Sequence, residues 1–316
     1  MTAIIDLHAD TPMLLRWGLD LAKHHHRLPR FMSFFSHADI PRLKMGGVEA
    51  QGWGLWSSPR ECGRSVRSIE KQLAAVEKTL RRQASDLCLV RTGDDIEKAR
   101  SEGRIGVFLG VEGAHCLNRD IALLGKWAAR GVRYLTLAHF SENFAASPAL
   151  GAGRPRRGLT EQGRDLVAEA NRLAVIIDLA HVEREGFLEA AKTSRKPVMV
   201  SHTGVKGVFD HWRNIDDDQI KAIADSGGVV GIINTSRFLG PGGIETLVRH
   251  MLHAARIGGD SVVALGSDFD GMVKPVPGLD DASMWPGLLR ALEGRGVKQD
   301  VIEAFASRNV LRVFRG

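Results

Sequence analysis

A histidine and an aspartate two residues apart, His8 and Asp10, close the apolar run Ile4-Ile5-Asp6-Leu7. Side chains at i and i+2 of an extended chain point the same way, so both can reach one cation. Further apolar runs end on residues of the same chemistry. Glu112 ends Ile105-Gly106-Val107-Phe108-Leu109-Gly110-Val111, and His139 follows Tyr134-Leu135-Thr136-Leu137-Ala138. His181 follows Val175-Ile176-Ile177-Asp178-Leu179-Ala180, His202 follows Val198-Met199-Val200-Ser201, and Asp268 lies in Gly266-Ser267-Asp268-Phe269-Asp270-Gly271. A carboxylate at the end of an apolar run is costly unless it is paired or coordinating, and its two oxygens can bridge two cations. Two imidazoles at the ends of consecutive strands suit a second ion beside the first. Asp268 then offers a general base, with Asp270 as a competitor that could instead brace the turn, and His139 offers a group to polarise a carbonyl oxygen.

Such residues need a scaffold that brings many strand ends together. Eight apolar runs of strand length occur, at residues 3 to 7, 48 to 56, 105 to 111, 132 to 138, 174 to 180, 197 to 201, 229 to 234 and 262 to 267. Between most of them lie segments of helical period. In 64 to 85, Val66, Ile69, Leu73, Val76 and Leu80 form one apolar stripe, and Ile244, Leu247, Met251, Leu252 and Ala255 form another. Strands that are apolar throughout and alternate with amphipathic helices mean a parallel sheet covered by helices. Eight of them predict an α/β fold, a closed (β/α)8 TIM barrel spanning residues 1 to 316 as a single domain, with its site at the carboxyl ends of the strands. Leu87 to Val90 is taken as a short extra strand outside the barrel. Residues 145 to 158, AASPALGAGRPRRG, form the one loop of biased composition, placed over the mouth of the site.

Hydrophobic residues make up 44% of the 316 positions and charged ones 25%, the balance of a soluble protein with ample core. A net charge of +6 would admit nucleic acid as a partner, but Lys and Arg are dispersed without interleaved aromatics, so none is expected. With no signal-like start and no apolar run of membrane-spanning length, the expected location is the cytoplasm, with no membrane partner. Cys62, Cys88 and Cys116 are odd in number and far apart, which predicts reduced, mostly buried thiols. His24, His25 and His26 read as a solvated turn without a nearby carboxylate, and His115 as a residue behind the ligands rather than one of them. His211, His250 and His253 receive no role.

Assembled in order, these segments resemble the membrane (renal) dipeptidase family of zinc-dependent amidohydrolases. The matching stretches run nearly end to end: DLHADTP, GGVEAQGW, GVEGAH, GVRYLTLAH, EANRLAVIIDLAHV, PVMVSH, RNIDDD, LGSDFDG and the terminal NVLRVF. The resemblance implies two divalent ions, most simply Zn2+, one held by His8, Asp10 and Glu112 and the other by Glu112, His181 and His202. It implies His139 and Arg213 as substrate-binding residues and Asp268 as the proton carrier. Arg213 does not stand out from pattern alone, but a guanidinium fork suits the terminal carboxylate of a peptide. Ser141 stands where some members carry a cysteine just after the histidine.

The implied activity is hydrolysis of the peptide bond of dipeptides, L,L and L,D, by a hydroxide bridging two ions about 3.5 to 4 Å apart. The rivals are another hydrolase on the same centre (deacylase, lactonase or phosphoesterase) and a barrel that only binds. A dead barrel would have lost a ligand or the base, and none is lost. Oligomeric state is left open, with a homodimer as the simplest assembly. Arg154, Arg156 and Arg157 in the biased loop raise the expectation of a preference for acidic dipeptides.

Overall fold

The computed structural model describes residues 2–24, 36–58, 61, 63–150 and 158–315. Nine parallel strands form one sheet: β1 Ile4–Ala9, β2 Val48–Trp56, β3 Leu87–Leu89, β4 Ile105–Glu112, β5 Val132–Thr136, β6 Ile176–Asp178, β7 Met199–Thr203, β8 Val229–Ile232 and β9 Val263–Leu265. The order is β2-β1-β9-β8-β7-β6-β5-β4-β3, and pairing of β2 with β4 from Ala50↔Gly106 to Trp56↔Glu112 closes eight of them into a barrel. β3 pairs with residues 105 to 107 of β4 and stays outside the ring, as its sequence suggests.

The two faces of the barrel wall pack separately. Ile5, Leu7, Ala50, Phe108, Tyr134, Met199, Val229 and Ala264 cluster with Val310, Val313 and Phe314 of the C-terminal helix Asn309–Arg315. The Phe108 and Phe314 rings meet edge to face, 4.7 Å between centroids, so this helix plugs the amino-terminal end of the barrel. On the outer face the stripe of helix Ser65–Arg82 buries Ile69, Leu73 and Val76, and that of helix Ile244–Gly258 buries Leu247 and Met251. With one end filled, only the carboxyl end is open to substrate.

Several strands are shorter than their apolar runs, for a physical reason. At the carboxyl ends, backbone N–H groups bond to buried carboxylates instead of to the next strand. Asp178 Oδ1 accepts from Ala180 N at 3.1 Å and Ser201 N at 2.8 Å, and Asp6 Oδ1 accepts from Ser267 N at 2.7 Å. The extended geometry expected for His8 and Asp10 also fails beyond Ala9. Asp10 is the residue before helix Thr11–Arg16, at φ −90° and ψ 25°, so a turn and not a pleat brings the two side chains to one side.

Gly110 shows how tightly the interior is filled. A Cβ there would lie 1.9 Å from Cζ of Tyr134, the one tyrosine of the chain. Gly110→Ala should therefore displace that ring and destabilise the protein by about 1 to 3 kcal/mol, the usual cost of overpacking. Because Tyr134 holds His8 (below), the variant should also lose metal affinity; urea unfolding together with metal content of the purified variant checks both.

Candidate metal centre

Six strand ends each bring one side chain to a common point. Glu112 is the last residue of β4, His202 lies in β7, and His8 lies in β1. His139, His181 and Asp268 follow β5, β6 and β9. His181 and Asp268 adopt left-handed backbone, at φ 66° and 59°, strain of a kind that clusters at functional sites. All are buried, at 8% exposure or less.

Glu112 is the hub. Its Oε1 lies 3.2 Å from His181 Nε2, 3.4 Å from His202 Nε2 and 3.9 Å from His8 Nε2. His139 Nε2 is 3.6 Å from its Oε2, and the Nε2 atoms of His181 and His202 face each other at 3.0 Å. His8 Nε2 and Asp10 Oδ1, 3.7 Å apart, are buried without a hydrogen-bond partner among the described residues. Imidazole nitrogens and carboxylate oxygens crowded together in this way are stable around cations, and the set fits zinc-like ions.

Proximity alone does not divide the centre. Donor atoms of His8, Glu112 and His202 lie within 4.8 Å of one another, as do those of Glu112, His139 and His181, and of His8, Asp10 and Asp268. Hydrogen positions discriminate further. Ser201 Oγ has one proton, which it donates to Asp178 Oδ2 at 2.8 Å, so it must accept from His202 Nδ1 at 2.7 Å. That leaves the lone pair of His202 on Nε2, facing Glu112, as a ligand requires. His139 is the reverse case. Trp56 Nε1, a donor only, bonds to His139 Nδ1 at 2.8 Å, so the ring proton is on Nε2 and this histidine offers a donor to the cavity, not a lone pair. Tyr134 Oη, 2.8 Å from His8 Nδ1, orients the His8 imidazole.

Electrostatics separate the groups further. Burial pushes His139, His181 and His202 well below the usual imidazole range, which keeps them neutral. Burial acts the same way on His8, but Asp10, Glu112 and Asp268 outweigh it and raise its pKa to about 10. Burial and Asp10 raise Asp268 to about 8 against the pull of His8 and Arg213, and burial lifts Glu112 well above its ordinary value. Arg213, which only the resemblance marks out as a substrate-binding residue, is 3% exposed. Its Nη2 donates to the carbonyl of His202 at 2.7 Å, its Nε has no partner among the described residues, and burial lowers its pKa to about 10. It lines, with His139, Asp268 and Glu112, a cavity of about 440 Å³ that Trp56, Phe140, Phe238 and Met272 wall with apolar surface.

A family model described as membrane dipeptidase, peptidase family M19, matches residues 1–316. The chain belongs to the membrane dipeptidase family. Two uncharacterised dipeptidases of Schizosaccharomyces pombe are 32% and 31% identical to it over 99% of this chain and 80% of their own lengths. Among solved structures, dipeptidase AC, a metallopeptidase of family M19, matches with a TM-score of 0.88 at 23% identity over 100% of both chains. A metallopeptidase from Rhodobacter sphaeroides, solved with a phosphinate mimic of the dipeptide L-Ala-D-Ala, gives 0.86 at 23% identity over 99% of this chain and 98% of its own. This dipeptidase-family chain thus has the metallopeptidase barrel. Among the described residues no helix is long and apolar enough to cross a membrane.

The structure brings His8, Asp10, Glu112, His139, His181, His202, Arg213 and Asp268 into one site. Asp270 is turned away: its carboxylate accepts from His37 N at 2.7 Å and Thr11 Oγ1 at 2.9 Å, so it braces the turn. His115 donates Nε2–H to the carbonyl of Ser57 at 2.8 Å, and His250, with Val205 N at 2.9 Å and Leu239 O at 3.1 Å, is a satisfied core residue. His24 does have a carboxylate near, Asp39 at 3.8 Å, contrary to expectation; His25 and His26 lie outside the described residues. Cys88 and Cys116 are free thiols, and Cys62 lies outside the described residues, as do Arg154, Arg156 and Arg157. Ala149 N bonds to the carbonyl of His181 at 2.7 Å, which seats the start of that loop at the site. Tyr134, Trp56, Ser201, Asp178 and Asp6 are the residues that sequence reasoning missed. A signal for two of them was available: the run Ile-Ile-Asp-Leu stands before both His8 and His181.

A cation arriving at this centre competes with the proton of His8, whose pKa of about 10 keeps the ring charged at neutral pH. Zinc uptake by the apoprotein should therefore release protons, and apparent affinity should fall as pH falls. Zinc titration in weakly buffered solution with a pH indicator measures the first; titrations at several pH values measure the second.

Proposed function

We propose that this chain cleaves the peptide bond of dipeptides, L,L and L,D, at a centre of two zinc ions. The observation that carries this is the convergence of a five-donor set and a buried, incompletely partnered Arg213 on one cavity. His8, Asp10 and Glu112 would hold one ion, and Glu112, His181 and His202 the other. Bound there, two such ions supply polarisation of the scissile carbonyl and a hydroxide-like nucleophile at neutral pH. The R. sphaeroides metallopeptidase, whose ligand mimics L-Ala-D-Ala, supports a substrate of two residues.

The residues of the chain do the remainder. Arg213 pairs its fork with the substrate's free carboxylate, and leaving a buried N–H group unmatched is otherwise costly. That contact limits the length of chain that can follow the scissile bond. His139 donates Nε2–H to the carbonyl oxygen as negative charge builds on it. Asp268, buried and facing the same cavity, takes a proton from the attacking water and returns it to the departing amine.

Metal analysis after reconstitution, followed by a screen of L,L and L,D dipeptides, tests the proposal. Up to two ions per chain and activity abolished by chelation are expected; well under one equivalent would overturn the ligand set. Asp268→Asn should keep the metals and lower kcat by about 10² to 10⁴-fold, the usual share of acid and base transfer. Asp270→Asn should cost less turnover, and the opposite ranking would remove Asp268 from its role. Arg213→Ala should raise KM, and amidation of the substrate's C-terminus should then penalise the wild type far more than the variant. Equal penalties would exclude Arg213 from carboxylate recognition.

A further inference from the structure

Trp56, the last residue of β2, has a donor-only indole N–H aimed at the one ring nitrogen of His139 that does not face the cavity. The bond is 2.8 Å long, and the rings stand edge to face at 78° with centroids 5.8 Å apart. The indole is itself held in place. Trp56 N–H donates to Gln72 Oε1 at 3.2 Å, Gln72 Nε2 donates to the carbonyl of Trp56 at 2.5 Å, and Gln72 is 2% exposed on helix Ser65–Arg82. The other side of the His139 ring is packed by Phe140, 4.0 Å between centroids, and by His181 at 4.5 Å.

We propose that Trp56 is a positioning residue for the cleavage step, holding His139 as the Nε2–H tautomer with that proton directed at the scissile carbonyl oxygen. The inference rests on the dipeptidase reading for its catalytic consequence, though not for the tautomer. An indole N–H cannot accept, so Nδ1 of His139 must carry a lone pair, which excludes both the Nδ1–H tautomer and the imidazolium. Without the indole, no other group among the described residues selects the proton's place at Nδ1, and the ring can turn its lone pair toward the ions and lose its donor. A donor that works only if its proton and direction are preset contributes to the transition state more than to the ground state, so its loss should appear in kcat.

Two measurements on the full chain loaded with zinc test this. The first is the ¹⁵N spectrum of histidine-labelled protein, with the His139 signals identified by their loss in His139→Gln. Protonated Nε2 and unprotonated Nδ1 are expected in the wild type; a proton on Nδ1 overturns the proposal. The second is Trp56→Phe, which keeps an aromatic wall and removes the N–H. It should retain metal content and thermal stability, and lower kcat by about 10- to 100-fold, the usual cost of losing an orienting partner, with KM changed by less than about twofold. A rise in KM with kcat unchanged would make Trp56 a wall of the pocket only and overturn its positioning role. If the variant does not fold, the wild-type spectrum still decides the tautomer. If the wild type cleaves no dipeptide, the dipeptidase reading fails while the spectrum continues to test the pairing of Trp56 with His139.

Discussion

Two buried carboxylates, Asp6 and Asp178, fix the rim on which everything else stands. Each lies two or three residues before a histidine of the site, His8 or His181, and takes hydrogen bonds from both neighbouring strands. Asp6 accepts from Gln51 Nε2 at 2.9 Å on β2 and from Ser267 N and Oγ at 2.7 and 2.6 Å just after β9. Asp178 accepts from Thr136 Oγ1 at 2.6 Å on β5 and from Ser201 N and Oγ, both at 2.8 Å, on β7. At the end of a parallel barrel the ladder must stop, and the N–H groups it abandons need partners in a place without water. A carboxylate with several acceptor positions satisfies them and also locks the registers of three strands. Charge-assisted bonds are the short and strong kind, so the histidines that follow inherit well-fixed positions.

The same groups decide chemistry, because they determine where protons are. The chain Asp178, Ser201, His202 passes a hydroxyl proton to the carboxylate and so obliges the imidazole to present a lone pair at Nε2. Trp56 imposes the opposite state on His139. Two histidines two strands apart on one rim, alike in burial, are thereby given different capacities by partners on the side away from the cavity. This is the usual logic of metal sites, where outer partners set tautomer and direction. Distances to Glu112, 3.4 Å for His202 and 3.6 Å for His139, do not separate the two rings.

Much of this was legible in the amino-acid sequence, and the limits are instructive. Runs of apolar residues reveal strands buried on both faces, so the barrel and the residues at its strand ends could be read directly. Their lengths could not, since the runs continue to His181 and Asp268 while pairing ends at Asp178 and Leu265. What the pattern lacks is the competition between side-chain and strand acceptors for the same N–H groups. Arg213 and Trp56 were hidden for another reason: each acts across a gap of sequence, on His202 and on His139, and neither contact leaves a local period. Arg213 became visible through resemblance alone. Asp6 and Asp178 were visible but misread as members of apolar runs, although an ionisable residue inside such a run is costly and should itself have raised the question of its partners.

The centre concentrates what folding ordinarily avoids. Three carboxyl groups, four imidazoles and a guanidinium crowd around one cavity, all buried except the half-buried Asp10, and His181, Asp268, Asp270 and Met272 near it hold left-handed backbone. Each such backbone position costs on the order of 1 to 3 kcal/mol and persists only where the surroundings leave no alternative. Here the surroundings are the opposite end of the barrel, where Phe108, Tyr134 and the Val313 and Phe314 plug form a dry, close-packed floor. Tyr134 belongs to both halves: its ring fills the floor against Gly110 and its hydroxyl reaches His8. Packing at the closed end is thus transmitted by one side chain to His8 at the open end. An apolar core holds a site that, on its own charges and strain, would come apart.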